Sequence, residues 1–590
     1  MFAFSYHVNA QTTVTGTVSD ANGPIPGANV NLKGAKNGVS TSFDGNYSIS
    51  VPSNGTLVFS FIGLKSKEVA VNGQKTLNVT LEEDLSTLKE VVVIGYGTAK
   101  RADLTGAISS ISSSAVTQSV STTIDQVLQG RAAGVNVIQG GSPGSKPTVL
   151  IRGIPSFTGT DPTVIVDGVQ QSLVDLNSIN PSDIETINVL KDAATTAIYG
   201  VRGGNGVIVV TTKSGRKNQK TEFSFSSNYG MQQVMNTIGV LNATEYAAIL
   251  NEGSTLAGGG LIFKDLSSVG VGTNWQKQIF KEAALQSHNV TVRGGSEQVQ
   301  YFVSGGYTGQ DGIVGGGKNS NFNRLNLTSN LTFQLSKKVK LLSNTSFVNI
   351  QSVGVQENSF NSIIGSALNF DPTVSVLNTA PNTVGKYGFS NLLLSEIFNP
   401  LTKLDNNYNQ SNGNKWYGKL ELQYEVIKNL TLASRFGYTN WNNTYKSFTP
   451  LAFYGPLNVE NTMNADGSTV TGRHNSVYES KRTDNTYTFE TFGTYNFALP
   501  NEHHFETVAG ISLAKVSGDE TNGSRQDVPF NSWEFADITA ATGVNTADNV
   551  NAISMGNSQY FRKNLSYFGR INYDWKDKYL VSFSARRDGS

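Results

Sequence analysis

The second half of the chain alternates apolar and polar residues over long segments. In residues 416–426 the apolar positions are Leu420, Leu422, Tyr424 and Val426, and the polar positions between them are Lys419, Glu421, Gln423 and Glu425. Successive side chains of a strand point to opposite faces, so a period of two predicts strands with one apolar and one polar face. Similar segments recur from residue 222 to the C-terminus, and about eleven strands are predicted.

The connections between these strands alternate in length. Short turns lie at residues 295–296, 336–338, 428–429, 500–502 and 576–578, and long polar segments at 232–286, 351–414, 442–484 and 514–561. Short turns at one rim and long loops at the other are typical of a bacterial outer-membrane barrel. Aromatic residues near strand ends fit the girdles at the two membrane interfaces, as at Tyr487, Phe489, Tyr495 and Phe497. Since plugged barrels have about 22 strands, the chain is expected to hold about half of one and to lack the C-terminal half.

Two further regions precede these strands. Residues 11–84 alternate over short segments separated by turn residues at 22–24, 44–46 and 72–73, which predicts a small β-sandwich. Residues 104–215 mix both kinds of signal and predict an α+β domain. They predict a capped helix that starts with Thr122-Thr123 and ends at Gly130, and strands in PTVLIRGI, PTVIVDGV, IETINVLKD and NGVIVVTTKSG. The overall prediction is a mainly β chain.

Between these two regions lies EVVVIGYGT, residues 90–98. Its four consecutive β-branched residues, Val91 to Ile94, do not alternate with polar ones and are followed by glycines. Such a segment suits pairing as a strand added to a partner. The pattern alone equally allows a buried strand of its own domain.

Composition narrows the chemistry. Cys is absent, which removes disulfides and thiolate catalysis, and the formal net charge of +1 gives no field for binding nucleic acid. There is no HExxH zinc motif, and His503-His504 in a predicted turn is interpreted as a solvated pair rather than a metal site. We therefore expect a protein that is not an enzyme and has no cofactor or metal. Residues 1–10 end in a small-residue pattern, Val8-Asn9-Ala10, typical of a signal-peptide remnant.

Several motifs occur together in the order of one known family. GTVSDANGPIPGANVNLKG with TSFDGNYSI resembles a carboxypeptidase-regulatory-like domain of immunoglobulin type, and EVVVIGYGT is similar to the TonB box of SusC-type transporters. GRAAGVNV, IRGI, VIVDGV and INPSDIETINVLKDAATTAIYGVRGGNGVIVVTTKSG resemble the family's plug domain. The chain thus resembles the SusC/RagA TonB-linked outer-membrane transporters. The implied domains are 1–10 signal remnant, 11–84 sandwich, 85–103 TonB-box linker, 104–215 plug and 220–590 partial barrel.

This resemblance implies a mechanism and a set of partners. TonB, energised by ExbB/ExbD, would bind the segment Glu90, Val91, Val92, Val93, Ile94, Gly95, Tyr96 and Gly97 and drive import of an oligosaccharide or oligopeptide. A SusD-like lipoprotein would act as the surface partner. The barrel would lie in outer-membrane lipid, with the sandwich and the TonB box in the periplasm. The substrate-binding residues are unknown, although Trp275, Trp441 and Trp533 in the long polar segments suit stacking on sugars.

One hypothesis concerns how the plug is held. Arg131 and Arg152 fall in plug motifs, and the alternation turns Glu421 and Glu490 toward the lumen. Buried pairs between these arginines and glutamates would latch the plug. The alternative is that all four are ordinary charges in contact with water.

Two other functions remain open at this stage. A barrel of the same kind could carry an iron chelate or cobalamin. A secreted β-rich adhesin or structural protein is the alternative from another class, and it leaves the alternating short and long connections unexplained.

Overall fold

The computed structural model describes residues 11–20, 23–33, 38–61, 64–82, 91–100, 106–117, 123–154, 156, 159–356, 359–576 and 578–590. The predicted signal remnant and Glu90 lie outside these ranges. The chain divides into two compact units, one of residues 1–92 with 98–104 and one of residues 93–97 with 105–590. Each unit is described by itself.

The first unit is a β-sandwich, as predicted. One sheet has the order β2-β1-β5 with β8 parallel to β1, and the other has the order β4-β3-β6-β7. Alternate residues of β5 are buried (Tyr47, Ile49, Val51), and they join a core that includes Val14 and Phe59, both fully buried. The strands are β1 Gln11–Asp20, β2 Gly23–Pro24, β3 Asn29–Leu32, β4 Gly38–Ser40, β5 Asn46–Pro52, β6 Thr56–Ser60, β7 Lys67–Ala70 and β8 Val79–Thr80.

Two short strands, β9 (Val91–Ile94) and β10 (Gly97–Lys100), follow in the chain. The backbone of the β-branched run is thus extended, in agreement with its composition.

Residues 106–215 are called the plug region below. They form a five-stranded mixed sheet of order β11-β16-β17-β14-β15 and a hairpin, β12-β13. The four strands and the helix predicted from sequence are all present, and Gly130 ends the turn after α2 with a φ of 71°. Short 3-10 helices cover Leu173–Ser178, Pro181–Asp183 and Ala197–Asn205. The elements are β11 Ile108–Ser112, α1 Ser113–Thr117, α2 Ile124–Leu128, β12 Val135–Ile138, β13 Thr148–Ile151, β14 Thr163–Val166, β15 Val169–Gln171, β16 Ile184–Leu190, α3 Ala193–Thr196 and β17 Val207–Thr212.

The remaining strands form one large sheet of eleven antiparallel strands in sequence order, which confirms the predicted arrangement. The predicted faces are also confirmed, because Leu420 and Leu422 are 49% and 45% exposed while Glu421 between them is 3% exposed. The strands are β18 Gln219–Gln232, β19 Ala283–Gly295, β20 Val299–Asp311, β21 Asn321–Gln334, β22 Val339–Val353, β23 Tyr408–Ile427, β24 Leu430–Thr449, β25 Ser476–Leu499, β26 His503–Gln526, β27 Ile553–Trp575 and β28 Tyr579–Gly589.

Several strands are longer than the alternation predicted. β25 and β26 have 24 residues each, whereas about 10 tilted residues cross a bilayer. The connections after β24 and β26 are therefore 450–475 and 527–552, shorter than the predicted 442–484 and 514–561. The added ends of these strands have polar residues on both faces, as at Asn442 and Asn443, so they carry no apolar period of two.

The longer connections contain their own helices and a small core. Trp275 is 2% exposed and its indole nitrogen donates to the Asp371 carbonyl oxygen at 2.9 Å, so it is a core residue and does not offer a free face to a sugar. No helix among the described residues is long and apolar enough to cross a membrane. The helices are α4 Ala243–Leu256, α5 Trp275–Ile279, α6 Ile363–Asn369 and α7 Pro400–Asp405, with 3-10 turns at Leu266–Ser268, Pro529–Asn531 and Trp533–Phe535.

The plug region packs against one face of the large sheet from β19 to β28. Direct hydrogen bonds join it to the first of these strands (Asn180 to Asn289), to the middle (Gln171 to Thr439) and to the last (Ile198 to Arg586). Ten strands spaced about 4.8 Å apart span more than 40 Å. One compact region reaches all of them only because the sheet curves around it.

Candidate functional site

The segment Gly95-Tyr96-Gly97 lies against the plug region and the inner face of the sheet. The Gly95 amide donates to the Tyr199 hydroxyl at 2.7 Å. Gly95 has a φ of 60°, and a Cβ there would lie 2.9 Å from the Ile198 side chain. A Cβ on Gly97 would lie 3.0 Å from the Arg570 guanidinium. Both glycines are explained by this close approach of the backbone.

The Tyr96 ring packs against apolar side chains of the sheet. It stacks on Phe568 with centroids 3.9 Å apart and meets Phe492 edge-on at 5.1 Å. Ile198 and Val508 belong to the same cluster. Aromatic pairs in these geometries add about 1 kcal/mol each to the free energy of area burial, so the ring is an anchor for the segment.

The Tyr96 hydroxyl enters a polar network on the sheet. It donates to Glu490 Oε1 at 2.7 Å, and Arg586 Nη1 donates to the hydroxyl at 3.5 Å. Burial, followed by the neighbouring Glu490 carboxylate, raises the pKa of Tyr96 above its ordinary value of 10. The hydroxyl therefore stays protonated at physiological pH and remains a donor to Glu490.

Glu490 is one member of a buried charge triplet. Arg435 Nε donates to Glu421 Oε2 at 2.7 Å, and its Nη1 lies 3.4 Å from Glu490 Oε2. The three residues are direct cross-strand neighbours, since Arg435 is paired with Glu421 on β23 and with Glu490 on β25. Lys419 adds a second cation 3.2 Å from Glu421. Buried charges are tolerated when they are paired in this way.

Arg435 also reaches the plug region. Its Nη1 lies 3.5 Å from the Gly168 carbonyl oxygen, in the turn between β14 and β15. Gly168 has a φ of 90°, and a Cβ there would lie 2.6 Å from the guanidinium. The same arginine thus contacts the plug region directly and, through Glu490, holds the Tyr96 anchor.

The predicted latch residues are placed differently from the hypothesis. Arg131 donates to the Ala115 carbonyl oxygen and Arg152 pairs with Asp192, all within the plug region. Glu421 and Glu490 do face the plug region, but their cation is Arg435 of the sheet. The four residues are not brought together, because a cross-strand arginine already neutralises both carboxylates. Matching inward positions across β23, β24 and β25 would have identified Arg435.

The sheet supplies most of the cations that hold the plug region. Lys415, 1% exposed, lies 2.6 Å from Asp175 Oδ1 and donates to Gln171 Oε1 at 2.8 Å. Burial opposes ionisation of Asp175, but Lys415 outweighs it and lowers the pKa of that carboxyl below its usual value. Arg324, also buried, donates to the Asn177 carbonyl oxygen at 2.8 Å. The latch hypothesis placed the cations on the plug and the carboxylates on the sheet. At these contacts the cations belong to the sheet.

Neutral and acidic side chains also hold the plug region against the sheet. Asn326 donates to the Ser178 carbonyl oxygen at 2.7 Å, and Asp183 Oδ2 accepts from Ser304 at 2.8 Å. Asp183 is 2% exposed. Burial raises the pKa of its carboxyl to about 6, so this plug contact titrates in the mildly acidic range.

A cavity of about 90 Å³ lies beside the anchor. It is bounded by Tyr96, Tyr199, Arg202, Glu490 and Arg586. Pockets for small-molecule ligands measure about 300–1,000 Å³, so this cavity is far too small for an oligomeric nutrient. With the segment docked, it is not a substrate pocket.

The other candidate residues form no metal site. His503 and His504 point to opposite faces: His503 stacks on Trp575 with centroids 5.7 Å apart, and His504 lies 3.5 Å from Asp574. Within the described ranges no group of three His, Cys, Asp or Glu side chains is arranged to bind a metal.

Comparisons with known protein families identify two domains. The CarboxypepD_reg-like domain matches residues 14–93, and the TonB-dependent Receptor Plug Domain matches residues 100–207. Both were expected from the sequence motifs, and the segment that contains Tyr96 joins them.

The chain is also similar to curated proteins over nearly its whole length. TonB-dependent receptor P26 of Formosa agariphila is 34% identical over 100% of this chain and 57% of its own length. TonB-dependent receptor SusC of Bacteroides thetaiotaomicron is 32% identical over 98% of this chain and 56% of its own. The chain spans about half the length of these relatives. They are receptors rather than enzymes, which confirms the resemblance and the non-enzymatic prediction.

Solved structures share the fold. The RagAB peptide importer in its open-open state superposes with a TM-score of 0.68 at 23% identity, over 85% of this chain and 56% of that one. The ferric citrate transporter FecA in its unliganded form gives 0.52 at 12% identity, over 82% and 56%.

Proposed function

We propose that this chain, which is homologous to the SusC-type TonB-dependent receptors and carries their plug domain, is part of a TonB-driven outer-membrane importer. TonB pairs by strand addition with Glu90, Val91, Val92, Val93, Ile94, Gly95, Tyr96 and Gly97, and pulls. The observation that carries this proposal is the anchoring of Gly95-Tyr96-Gly97. A TonB that captures the segment displaces it from Tyr199 of the plug region and from Glu490 of the sheet at once.

The cargo and the surface partner belong to the same proposal. The imported nutrient is an oligosaccharide, with an oligopeptide as the second candidate, and a SusD-like lipoprotein delivers it. RagAB, which shares the fold, is described as a peptide importer. The experiment below therefore tests both oligosaccharides and oligopeptides. The sheet lies in outer-membrane lipid, and the sandwich and TonB segment lie in the periplasm.

The domain assignment is part of the proposal as well. Residues 11–84 form the regulatory-like domain, 85–103 the TonB-box linker, 104–215 the plug and 220–590 part of the barrel. Transport requires only that the plug contacts with the sheet change under load, so no bond chemistry is assigned to any residue.

The test uses the full-length protein in its native host. Val92→Pro removes a backbone donor from β9 and blocks strand pairing, whereas Val92→Thr keeps a β-branched residue and serves as the matched control. We expect growth on defined oligosaccharides, or on oligopeptides as sole amino-acid source, to be lost with Val92→Pro and kept with Val92→Thr. Both variants must reach the outer membrane at the parental level.

Equal growth of the two variants on every oligosaccharide and peptide would contradict the proposal. If Val92→Pro lost growth only on an iron chelate or on cobalamin-limited medium, the cargo would be an iron chelate or cobalamin. The TonB-driven step of the proposal would still stand.

A further inference from the structure

Two lysines lie side by side on the outer face of the large sheet. Lys515 on β26 is directly paired with Lys563 on β27, and Lys515 is paired on its other side with Tyr487. Both lysines are exposed, and they share their face with the exposed Leu513 and Leu565. Like charges directly opposite on one face repel and destabilise the strand pair, so this arrangement favours a bound anion.

Among the residues that the structure describes, no carboxylate neutralises this pair. Glu490, Glu506 and Asp484 of β25 and β26 have the opposite parity and pair with Arg435, Arg570 and Arg482 on the other face. Asp519, the outward acid on β26, is four residues beyond Lys515, about 13 Å along the strand. Within the described part of the chain neither lysine takes part in an ion pair.

The position of the pair corresponds to a membrane interface. At the short-turn end, His503, Trp575 and Tyr579 form an aromatic cluster with centroids 5.7 and 5.4 Å apart, as expected of an interfacial girdle. Lys515 comes twelve residues later on the same face. At about 3.3 Å per residue and a tilt of about 40°, it lies about 30 Å higher, which is the thickness of the hydrocarbon core.

The rows on either side of the lysines differ in chemistry. Toward the short turns the next outward row is apolar, with Phe489, Leu513 and Leu565 aligned across three strands. Toward the long loops the next outward row carries Asn440, Asn485 and Ser517 on β24 to β26, where Asn440 donates to Asn485 at 2.7 Å, and the exposed Phe561 on β27. An amphiphile beside Lys515 meets an apolar surface, then two cations, then amides, with the Phe561 ring next to Lys563.

We propose that Lys515 and Lys563 bind the phosphate of a phosphorylated glycolipid of the outer leaflet. The acyl chains cover Leu513 and Leu565, the phosphate lies between the two ammonium groups, and the sugar meets Asn440 and Asn485. The apolar row favours a lipid over free phosphate, and the amides favour a sugar headgroup. The inference rests on the proposed position of the sheet in the outer membrane.

The test measures lipid retained by the full-length protein after purification in mild detergent, using native mass spectrometry. The variant Lys515→Gln with Lys563→Gln removes both charges. Its matched control, Lys576→Gln with Lys578→Gln, removes two lysines beside aromatic rings at the other interface. We expect retained phosphorylated glycolipid to fall about tenfold in the first variant, as when charge-assisted contacts to phosphate are lost, and to stay at the parental level in the control.

A second measurement identifies the recognised group. The delipidated parental protein is titrated with a phosphorylated glycolipid, with the same lipid after dephosphorylation, and with inorganic phosphate, following its melting temperature. Stabilisation by the phosphorylated lipid alone supports the proposal. Equal stabilisation by the dephosphorylated lipid, or unchanged retention in the double variant, overturns it. Neither readout depends on TonB, so a failure here is distinct from failure of Val92→Pro to stop growth.

Discussion

The hydroxyl of Tyr96 donates a 2.7 Å hydrogen bond to Oε1 of Glu490, which lies 394 residues later in the chain. Tyr96 belongs to the segment proposed to bind TonB, and Glu490, on β25, is one of the three members of the buried charge triplet around Arg435. Docking of the segment and its capture by a partner are therefore competing equilibria, and whatever weakens the first strengthens the second.

Tyr96→Phe keeps the ring stack on Phe568 and removes the hydroxyl. A hydrogen bond to a charged acceptor contributes about 1.5–3 kcal/mol, so the segment undocks more often and the affinity for the periplasmic domain of TonB is expected to rise about tenfold. Binding to the purified full-length protein measures this. Tyr229→Phe, a change at an exposed tyrosine of β18, serves as control. An unchanged affinity for TonB would mean that Tyr96 does not limit capture.

Arg435→Met leaves Glu421 and Glu490 buried beside each other without their shared cation. Removing one partner of a buried ion pair costs about 3–5 kcal/mol, and we expect a large fall in the denaturation temperature in detergent. Arg482→Met is the comparison, because the Arg482–Asp484 pair is about half exposed on the arginine side and such pairs contribute at most about 1 kcal/mol. Equal effects of the two changes would contradict the buried triplet.

Lys415→Met tests whether the buried contact between Lys415 and Asp175 holds the plug region against the sheet. It leaves Asp175 without its cation at the end of a buried contact, so the plug region should be released more readily. We expect faster protease cleavage within residues 106–215 while the sheet stays folded. Lys446→Met removes a lysine whose partner Glu479 is partly exposed at 3.9 Å, and it should leave the cleavage rate unchanged. If residues 106–215 were cleaved at the same rate in both variants, the Lys415–Asp175 contact would not be what holds the plug region in place.

The pH dependence of stability should contain a term of unusual sign. The pKa of Asp183 is raised from 3.8 to about 6, so the folded state binds the proton more tightly than the unfolded state. Its contribution is fully present below about pH 4 and is lost as the pH rises through about 6. Asp183→Asn should remove this part of the slope in melts between pH 4 and 7.

Asp175 provides the opposite control for that experiment. Its pKa is lowered, so its contribution is present above its ordinary pKa and is lost as the pH falls. Asp175→Asn should therefore reduce stability at neutral pH and flatten the acid limb of the curve. Slopes that do not differ between the two variants would contradict these assignments.

Local patterns were sufficient for much of the fold. The period of two around Glu421 established which side chains face inward, because strand geometry leaves only two faces. Turn residues gave the short connections, and Thr123 with Gly130 marked the ends of α2. The pattern failed beyond the apolar band, at Asn442 to Thr449, since a strand with polar residues on both faces looks like a loop.

The sequence by itself determined the class of strands, their order and the motifs that relate the chain to its family, because each of these depends on neighbours a few residues apart. Only the tertiary structure decided the partners of the buried charges. Strand register placed Arg435 between Glu421 and Glu490, and curvature of the sheet around the plug region brought Tyr96 to Glu490. Contacts across hundreds of residues follow from how the strands close on the plug, and no local pattern records that.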